Sequence, residues 1–585
     1  MVDKLGELEK ALFKEGLIEQ AKRGLSTLTG EERVRILRHI GTQPFPDDQY
    51  GRLPSVIEHL SPTWNHEGLS LSDMNFKFPI INQQALFVRK CYHELYDMIT
   101  KLPTTVIQSI RILLTGTPGI GKSTFLVYFI IRHLYESGKV TLDRRMLDII
   151  ILQPAGSENE IYAFAAPNIV RKGTYSDFEA FFLIPTTLYL VDWKPKSKPI
   201  SKPATTLFTL SPNSIQDDDF KDFEKVLFMR LCMPVWSYDE LEACRRHVFP
   251  EQSTRSLSYI YSRAGGVPRS CLEAPTEALR VGCSEEMANE KGLQRLEDAF
   301  NQIKDPLDFL RTQEQSLGLK VSGRLLHKVP GVPDSETSYR DSSHRIWASA
   351  YVIDRFIGMV DTHAADNMNR QVMEGLARNE RDGTLGKIFE CYVRHLFFKG
   401  GGVKLRKRRL YGVSNKRKQP AQQWFTIPKN IEHKPFSGMI DFSIPEEDTG
   451  TIWTPGPNFP SVDLILTPNF LFQITISSYH PVKQEPLRKI VEKLPAKENI
   501  SLYFVVPEEK FETFTLQNYQ NEQGKLSRKV PKSIEMLEQW VLGVPLGGVL
   551  RKKKADQSEV QGMKKRAAED DMPAQLAKDR RRRTE

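Results

Sequence analysis

The chain has 585 residues, 82 Lys+Arg against 73 Asp+Glu, a formal net charge of +9 and 40% hydrophobic residues. That apolar fraction supports three or four cored domains and excludes wholesale disorder. Six scattered cysteines without a CxxC exclude a disulfide scaffold or zinc knuckle and leave reduced, buried thiols as the expectation.

The first 60 residues read as one or two helices, with acids where a signal peptide needs an apolar stretch. The longest apolar runs, such as 125–131, fall short of the ~18–20 residues of a membrane span. A soluble intracellular protein with no membrane partner is expected.

Residues 111–124, RILLTGTPGIGKST, fit the phosphate-loop pattern GxxxxGK[ST] with Gly116, Gly121, Lys122 and Ser123 in register. Ile112-Leu113-Leu114 suits a buried strand, and 125–134 an apolar helix starting straight after the loop. Glycines at 116, 119 and 121 let the backbone of Gly116, Thr117, Pro118, Gly119, Ile120 and Gly121 curl so that its N–H groups, which all but the proline carry, converge on an anion. The helix N-terminus from Lys122 to Thr124 adds its dipole. Lys122 is expected on the β/γ-phosphates and Ser123 on Mg²⁺ of ATP or another NTP. Asp192 closes the apolar run 188–191 and is the expected acidic partner of the metal. Strand 205–210 leads to Asn213, a candidate polar sensor of the γ-phosphate. In Gly265-GVPR, Arg269 stands at the start of a helical lid as a second candidate sensor.

Pro-, Gly- and Ser-rich stretches at 194–203, 330–343, 420–435 and 446–460 read as linkers or loops. No repeat of 20–50 residues is visible. Residues 384–397 form an amphipathic helix with Glu390 at the flank of its apolar stripe. The acid-free stretch 399–418 carries Lys399, Lys404, Arg406, Lys407, Arg408, Arg409, Lys416, Arg417 and Lys418, a density that invites a polyanion such as DNA. A solvated hairpin is the bland alternative.

A strand carrying Asp463 follows, then a turn and the alternating strand 470–478, on which Gln473 and Thr475 share a face. A helical Glu, a strand Asp and a Q-x-T strand resemble the core of the PD-(D/E)XK nuclease fold. The resemblance implies that Glu390, Asp463 and Gln473 gather Mg²⁺ and a hydrolytic water, with Glu390 and Asp463 as metal ligands. Thr475 stands where that fold keeps a lysine; Lys483, and after it His480, are the relocated candidates. The last 35 residues hold twelve Lys/Arg and seven acids with almost no apolar periodicity. They read as a disordered tail carrying nuclear-import signals for an import receptor.

The GTPGIGKS loop, the LVD strand, SPN at 211–213, MPVW at 233–236 and GGVPR are together similar to the NTPase module of the Crinkler family and its retrotransposon-hot-spot relatives. So are the segments 87–99 and 338–352, and the likeness spans roughly 85–500. AAA-type ATPases usually place a catalytic Glu after the LVD acid; here that residue is Trp193. The fold class implied is α/β: a P-loop NTPase (AAA/STAND-like) domain, a helical region and a restriction-endonuclease-like domain. Expected boundaries are 1–84 for a helical header, 85–275 for the NTPase, 276–375 for a lid or linker, 376–548 for the nuclease-like domain and 549–585 for the tail. The resemblance implies a nuclear, ATP-regulated, Mg²⁺-dependent DNA endonuclease, with homo-oligomers as one means of assembling it. A nucleotide-switched DNA- or chromatin-binding protein with an inactive nuclease fold, and a STAND-type signalling ATPase, stay open as alternatives.

Overall fold

The computed structural model describes residues 8, 10–12, 14–17, 25–40, 43–44, 47–58, 60, 70–72, 76–101, 110–137, 149–156, 159–166, 168–193, 202–210, 229–311, 321, 323–330, 339–341, 345–378, 383–410, 423–429, 431–436, 443–456, 459, 461–495, 499–521, 524–527 and 529–546. Asn213, Lys416, Arg417, Lys418 and the basic tail lie outside them. The chain divides into two compact mixed α/β units. The first is Met1–Lys304, Thr312–Ile353 and Gly456–Asn458; the second is Asp305–Arg311, Asp354–Pro455 and Phe459–Glu585. Among the described residues no helix is long and apolar enough to cross a membrane.

The first unit is built on an eight-stranded sheet. Its strands are β1 (Gln43–Pro44), β2 (Arg111–Thr115), β3 (Ile150–Gln153), β4 (Ile161–Ala165), β5 (Ile169–Gly173), β6 (Leu188–Asp192), β7 (Thr205–Thr209) and β8 (Met229–Cys232), in the order β1-β5-β4-β3-β6-β7-β2-β8. The five strands β3, β6, β7, β2 and β8 run parallel. All residues of β2, β3, β6 and β7 are buried, the continuous pattern of a parallel sheet covered on both faces. β4, β5 and β1 extend it antiparallel. Leu28, Ile36, Leu37 and Ile40 from the N-terminal segment join the core under β3, β4 and β6.

Two helices pack as a pair: α1 (Lys90–Thr100) and α2 (Lys122–Ser137). In α2 every residue from Phe125 to Ile131 is buried, so this helix is enclosed on all sides. Tyr92 and Tyr96 of α1 lie 5.5 Å from Phe125 and 4.7 Å from Phe129, centroid to centroid. Rings of this size bury ~150–250 Å² each and dominate such contacts. Further on come α3 (Tyr238–Val248), opened by a Ser237–Glu240 capping box, α4 (Thr254–Ala264), a π-helical turn over Arg269–Glu273, and α5 (Glu285–Asn301).

The second unit holds another eight-stranded sheet. Its strands are β9 (Lys404–Arg409), β10 (Gln423–Thr426), β11 (Glu432–Phe436), β12 (Thr451–Pro455), β13 (Leu464–Leu466), β14 (Phe470–Ile474), β15 (Ser501–Pro507) and β16 (Glu538–Val544), ordered β10-β9-β16-β15-β14-β13-β12-β11. β14, β15 and β16 are mutually parallel. The helix α6 (Thr362–Ala377) packs on α7 (Gly383–Lys399), and α8 (Gln484–Lys493) and the short α9 (Glu508–Phe511) follow later in the chain. An edge-to-face pair of Phe397 and Phe472, 4.9 Å apart, locks α7 onto β14.

One sequence expectation is corrected here. The stretches 420–435 and 446–460, read as loops, supply β10, β11 and β12. Aromatic and β-branched residues such as Trp424, Phe425, Ile452 and Trp453 outweigh the flanking prolines, and Pro435 is tolerated because β11 is an edge strand. The basic stretch is, in its described part, a strand inside the sheet. Arg406 bonds Glu508 and, at 2.6 Å, Glu512; Arg408 donates to the carbonyls of Phe511 and Phe514, and Arg409 pairs with Glu538 at 2.8 Å. Lys407 lies over the Trp540 ring and Lys404 is exposed.

Candidate functional site

The loop 116–121 leaves β2 and turns into α2, with Gly116, Gly119 and Gly121 all at positive φ (146°, 84° and 96°). A side chain at Gly116 is excluded twice, since a Cβ there would sit 2.7 Å from the Met233 carbonyl. The Lys122 amino group donates to the carbonyls of Gly116 (2.9 Å) and Thr117 (3.1 Å), so its stem curls over the loop. Burial pushes it down to about 8, a charge held in a dry place with neutral partners. Such a group gains from an incoming anion.

Three side chains that the sequence did not single out hold this loop in place. Tyr92 donates to the Gly121 carbonyl at 3.1 Å and Trp236 Nε1 to the Ile120 carbonyl at 2.9 Å. Arg89 stacks over Trp236 at 4.5 Å, pairs with Glu240 through Nε (3.0 Å) and Nη2 (3.1 Å), and donates to the carbonyls of Pro234 and Val235. Their only trace in the sequence lies in the segments 87–99 and 233–236, which carried the family likeness but no role.

Asp192 ends β6 and accepts a 2.9 Å hydrogen bond from Thr209 on β7, the strand between β6 and the loop-bearing β2. Trp193, the next residue, is buried against Phe208 at 5.4 Å and offers no base. Arg269 comes to the loop: a Cβ on Gly119 would meet the Cβ of Arg269 at 3.1 Å. Its placement on a π-helical turn is a geometry common at functional positions. Thr117 Oγ1 accepts from Lys328 N at 2.9 Å, tying a distant short strand to the loop.

A second constellation lies in the other unit. Asp463, just ahead of β13, accepts at Oδ2 from Ile474 N (2.6 Å) and Gln473 Nε2 (3.1 Å) of β14. Glu390 of α7 pairs with Arg394 one turn on, at 2.9 Å. Burial, and next the charge of Glu390, push the Asp463 carboxyl up to about 7, against the opposing pull of Arg394. Arg394 is 3% exposed; burial lowers it, but Glu390 and Asp463 outweigh that and hold the guanidinium above its usual range. Asp354 joins the same charge cluster, raised to about 6 by burial against the pull of Arg394. Glu390, Asp463 and Gln473 are therefore brought together. Lys483 caps α8, its carbonyl taking the Ser461 hydroxyl at 2.7 Å, and the cation acting on Asp463 is Arg394. Burial lowers the His480 imidazole below its ordinary value. Thr475 is buried, and its hydroxyl accepts from Ser477 N.

Oxygen donors suit Mg²⁺, and Gln473 Oε1 is buried with no hydrogen-bond partner among the described residues. Two carboxylates and this carbonyl are a fitting donor set, but Arg394 already neutralises part of it. Among the described residues no three His, Cys, Asp or Glu side chains cluster as a metal site.

No protein-family model matches the chain. It is 22% identical to Crinkler effector protein 15 of Phytophthora infestans over 455 residues, 75% of this chain and 65% of that protein. Crinkler effector protein 16 of the same organism gives 22% over 454 residues, with the same shares. The chain thus spans about 65% of the length of these relatives. Among solved structures, the Aeropyrum pernix ORC2 protein in its ADP form is 13% identical with a TM-score of 0.26, covering 56% of this chain and 88% of that one. The ADPNP–ADP complexes of that protein give 14% and 0.24, over 55% and 88%. Those superpositions are too loose to assign a fold, which rests here on the strand order and the loop geometry.

Proposed function

We propose that this chain is an effector-type protein whose first unit binds ATP and whose second unit acts on DNA in the nucleus under nucleotide control. The observation that supports it most is the loop itself: three positive-φ glycines, a buried Lys122 bonded to two neutral carbonyls, and Asp192 and Arg269 brought to the same end of the sheet. In this reading Lys122 and the loop N–H groups hold the β- and γ-phosphates, and Ser123 and Asp192 hold Mg²⁺. Bound Mg²⁺ would neutralise charge on the phosphate oxygens. Arg269 registers the terminal phosphate from the lid, and Asn213 is proposed for the same role.

For the second unit the finer reading is Mg²⁺-dependent phosphodiester hydrolysis. Glu390, Asp463 and Gln473 would hold the metal, and Arg394 would supply the cation that Thr475 lacks. Lys399, Lys404 and Lys407, with Lys416, Arg417 and Lys418, are proposed for the DNA backbone, and the tail for an import receptor. One observation favours DNA binding without cleavage: the ion pair of Arg394 with Glu390 occupies a carboxylate that a metal would need.

The test is plasmid nicking with Mg²⁺ and Mn²⁺, with and without ATP, beside fluorescent-nucleotide binding. Lys122→Ala is expected to abolish nucleotide binding, and Asp463→Ala to abolish cleavage while leaving nucleotide binding intact. Cleavage that survives Asp463→Ala rejects the nuclease assignment; DNA retention without cleavage under either metal selects the binding-only reading.

A further inference from the structure

On the Pro118 side of the loop lies a cavity of about 250 Å³. Pro118, Ala264, Val267 and Leu296 are its apolar lining residues, and Ser270, Arg295, Arg324 and His327 line it beside them. Three elements create it. α5 comes close to the π-helical turn at Gly292, where a Cβ would stand 2.7 Å from the Ser270 carbonyl. The short strand Leu326–Lys328, paired with Arg345–Trp347, carries His327 in and is tied to the loop through Lys328 and Thr117. Arg324 is tethered by a 3.2 Å bond from Nη1 to the Arg295 carbonyl.

The charged residues of the lining are all cations. His327 is 2% exposed, and its Nε2 has no hydrogen-bond partner among the described residues. Burial holds that ring down to about 4, so it is neutral and can offer an N–H. Arg295 is pulled below its usual range by burial and then by the like charges of Arg269 and Arg324; Glu273 and Glu277 offset this only in part. Two guanidinium groups, a hydroxyl and a buried imidazole around one cavity are the donor set that recognises a phosphate group. The volume lies below the ~300–1,000 Å³ of pockets for drug-sized ligands, which suits a phosphate with its waters rather than a second nucleotide.

We propose that this cavity is a second anion site beside the P-loop cradle, taking a phosphate group on Arg295, Arg324, Ser270 and His327. Its existence does not depend on the second unit being a nuclease. Free inorganic phosphate and the terminal phosphate of a nucleotide in the loop share the required chemistry.

Calorimetric titration of the full chain separates these sources. Inorganic phosphate is titrated into protein saturated with ADP, and ATP and ADP affinities are measured alongside. The variants are Arg295→Gln/Arg324→Gln and, because a charge change can disturb packing, His327→Gln, each checked for folding by circular dichroism. A drop of about tenfold or more in phosphate affinity with ADP affinity unchanged places free phosphate in the site. Loss of the ATP-over-ADP preference in the same variants places the terminal phosphate there. The P-loop reading fails separately, through Lys122→Ala binding ADP as wild type does. If folded variants leave both phosphate affinity and ATP preference at wild-type values, the site is overturned.

Discussion

Arg394 Nε donates to Glu390 Oε1 at 2.9 Å from within one helix, and the same buried guanidinium is the favourable charge at Asp463. A pair of carboxylates that would repel each other is thus held by a single cation. Removing one partner of a buried pair leaves an uncompensated charge and costs about 3–5 kcal/mol. Arg394→Met should lower stability by that order in urea unfolding. Adding Glu390→Gln to it should recover part of the loss, because the orphaned carboxylate is then neutral. Recovery of nothing would mean that Arg394 acts through packing alone.

The pH dependence of the second unit follows from Asp463. Its carboxyl is raised from 3.8 to about 7, so the folded state binds more protons than the unfolded state between these values. Stability contributed by the protonated group is complete below about 4 and is lost as pH rises through 7. Asp354, raised to about 6, adds in the same direction. Denaturant midpoints in EDTA should therefore fall from pH 5 to pH 7.5, and Asp463→Asn should flatten the slope. An unchanged slope in that variant would assign the effect elsewhere.

How much of this was legible depended on whether a residue's partners were near it in sequence. The loop was readable because three glycines, a lysine and a serine sit within eight residues, and because a buried parallel strand leaves an uninterrupted apolar run at 112–114. Asp192 was readable as the acid ending another such run. Arg89, Trp236 and Lys328 were not, since each bears on a loop tens to hundreds of residues away, directly or through a neighbour, and has no spacing rule. Arg394 carries no signal in the sequence beyond its place at i+4 from Glu390, and its burial is seen only in the folded unit. β10 to β12 were hidden because strands of four or five residues between prolines look like loops until their partners are known.

Nucleotide binding should carry the signature of Lys122. With the amino group lowered to about 8 from 10.5, its positive charge is present below pH 8 and lost above it. ATP affinity, measured by fluorescent-nucleotide displacement, should weaken from pH 7.5 to pH 9, by roughly tenfold per unit at most for a single proton. The stability of the nucleotide-free protein should move the opposite way. The unfolded lysine holds its proton up to 10.5, so between 8 and 10.5 the folded state is relieved of a costly buried charge and gains stability as pH rises. Affinity and stability that rise together across this range would exclude Lys122 as the titrating group.

The final prediction concerns Arg89, which touches no expected ligand yet fixes the platform of the loop. It is 1% exposed, forks onto Glu240, bonds two carbonyls and stacks on Trp236, whose Nε1 holds the Ile120 carbonyl. Arg89→Ala removes the ion-pair partner of Glu240 and a donor from two carbonyls, with an expected loss of about 3–5 kcal/mol. Arg89→Lys keeps the charge but not the planar fork, so it should lose stability by a smaller amount. Because Trp236 loses its stacking partner in both variants, nucleotide affinity should fall even in the lysine variant, which stays folded. Equilibrium unfolding with ATP titration reads both effects. An Arg89→Ala midpoint equal to wild type would show that the loop does not depend on this cation.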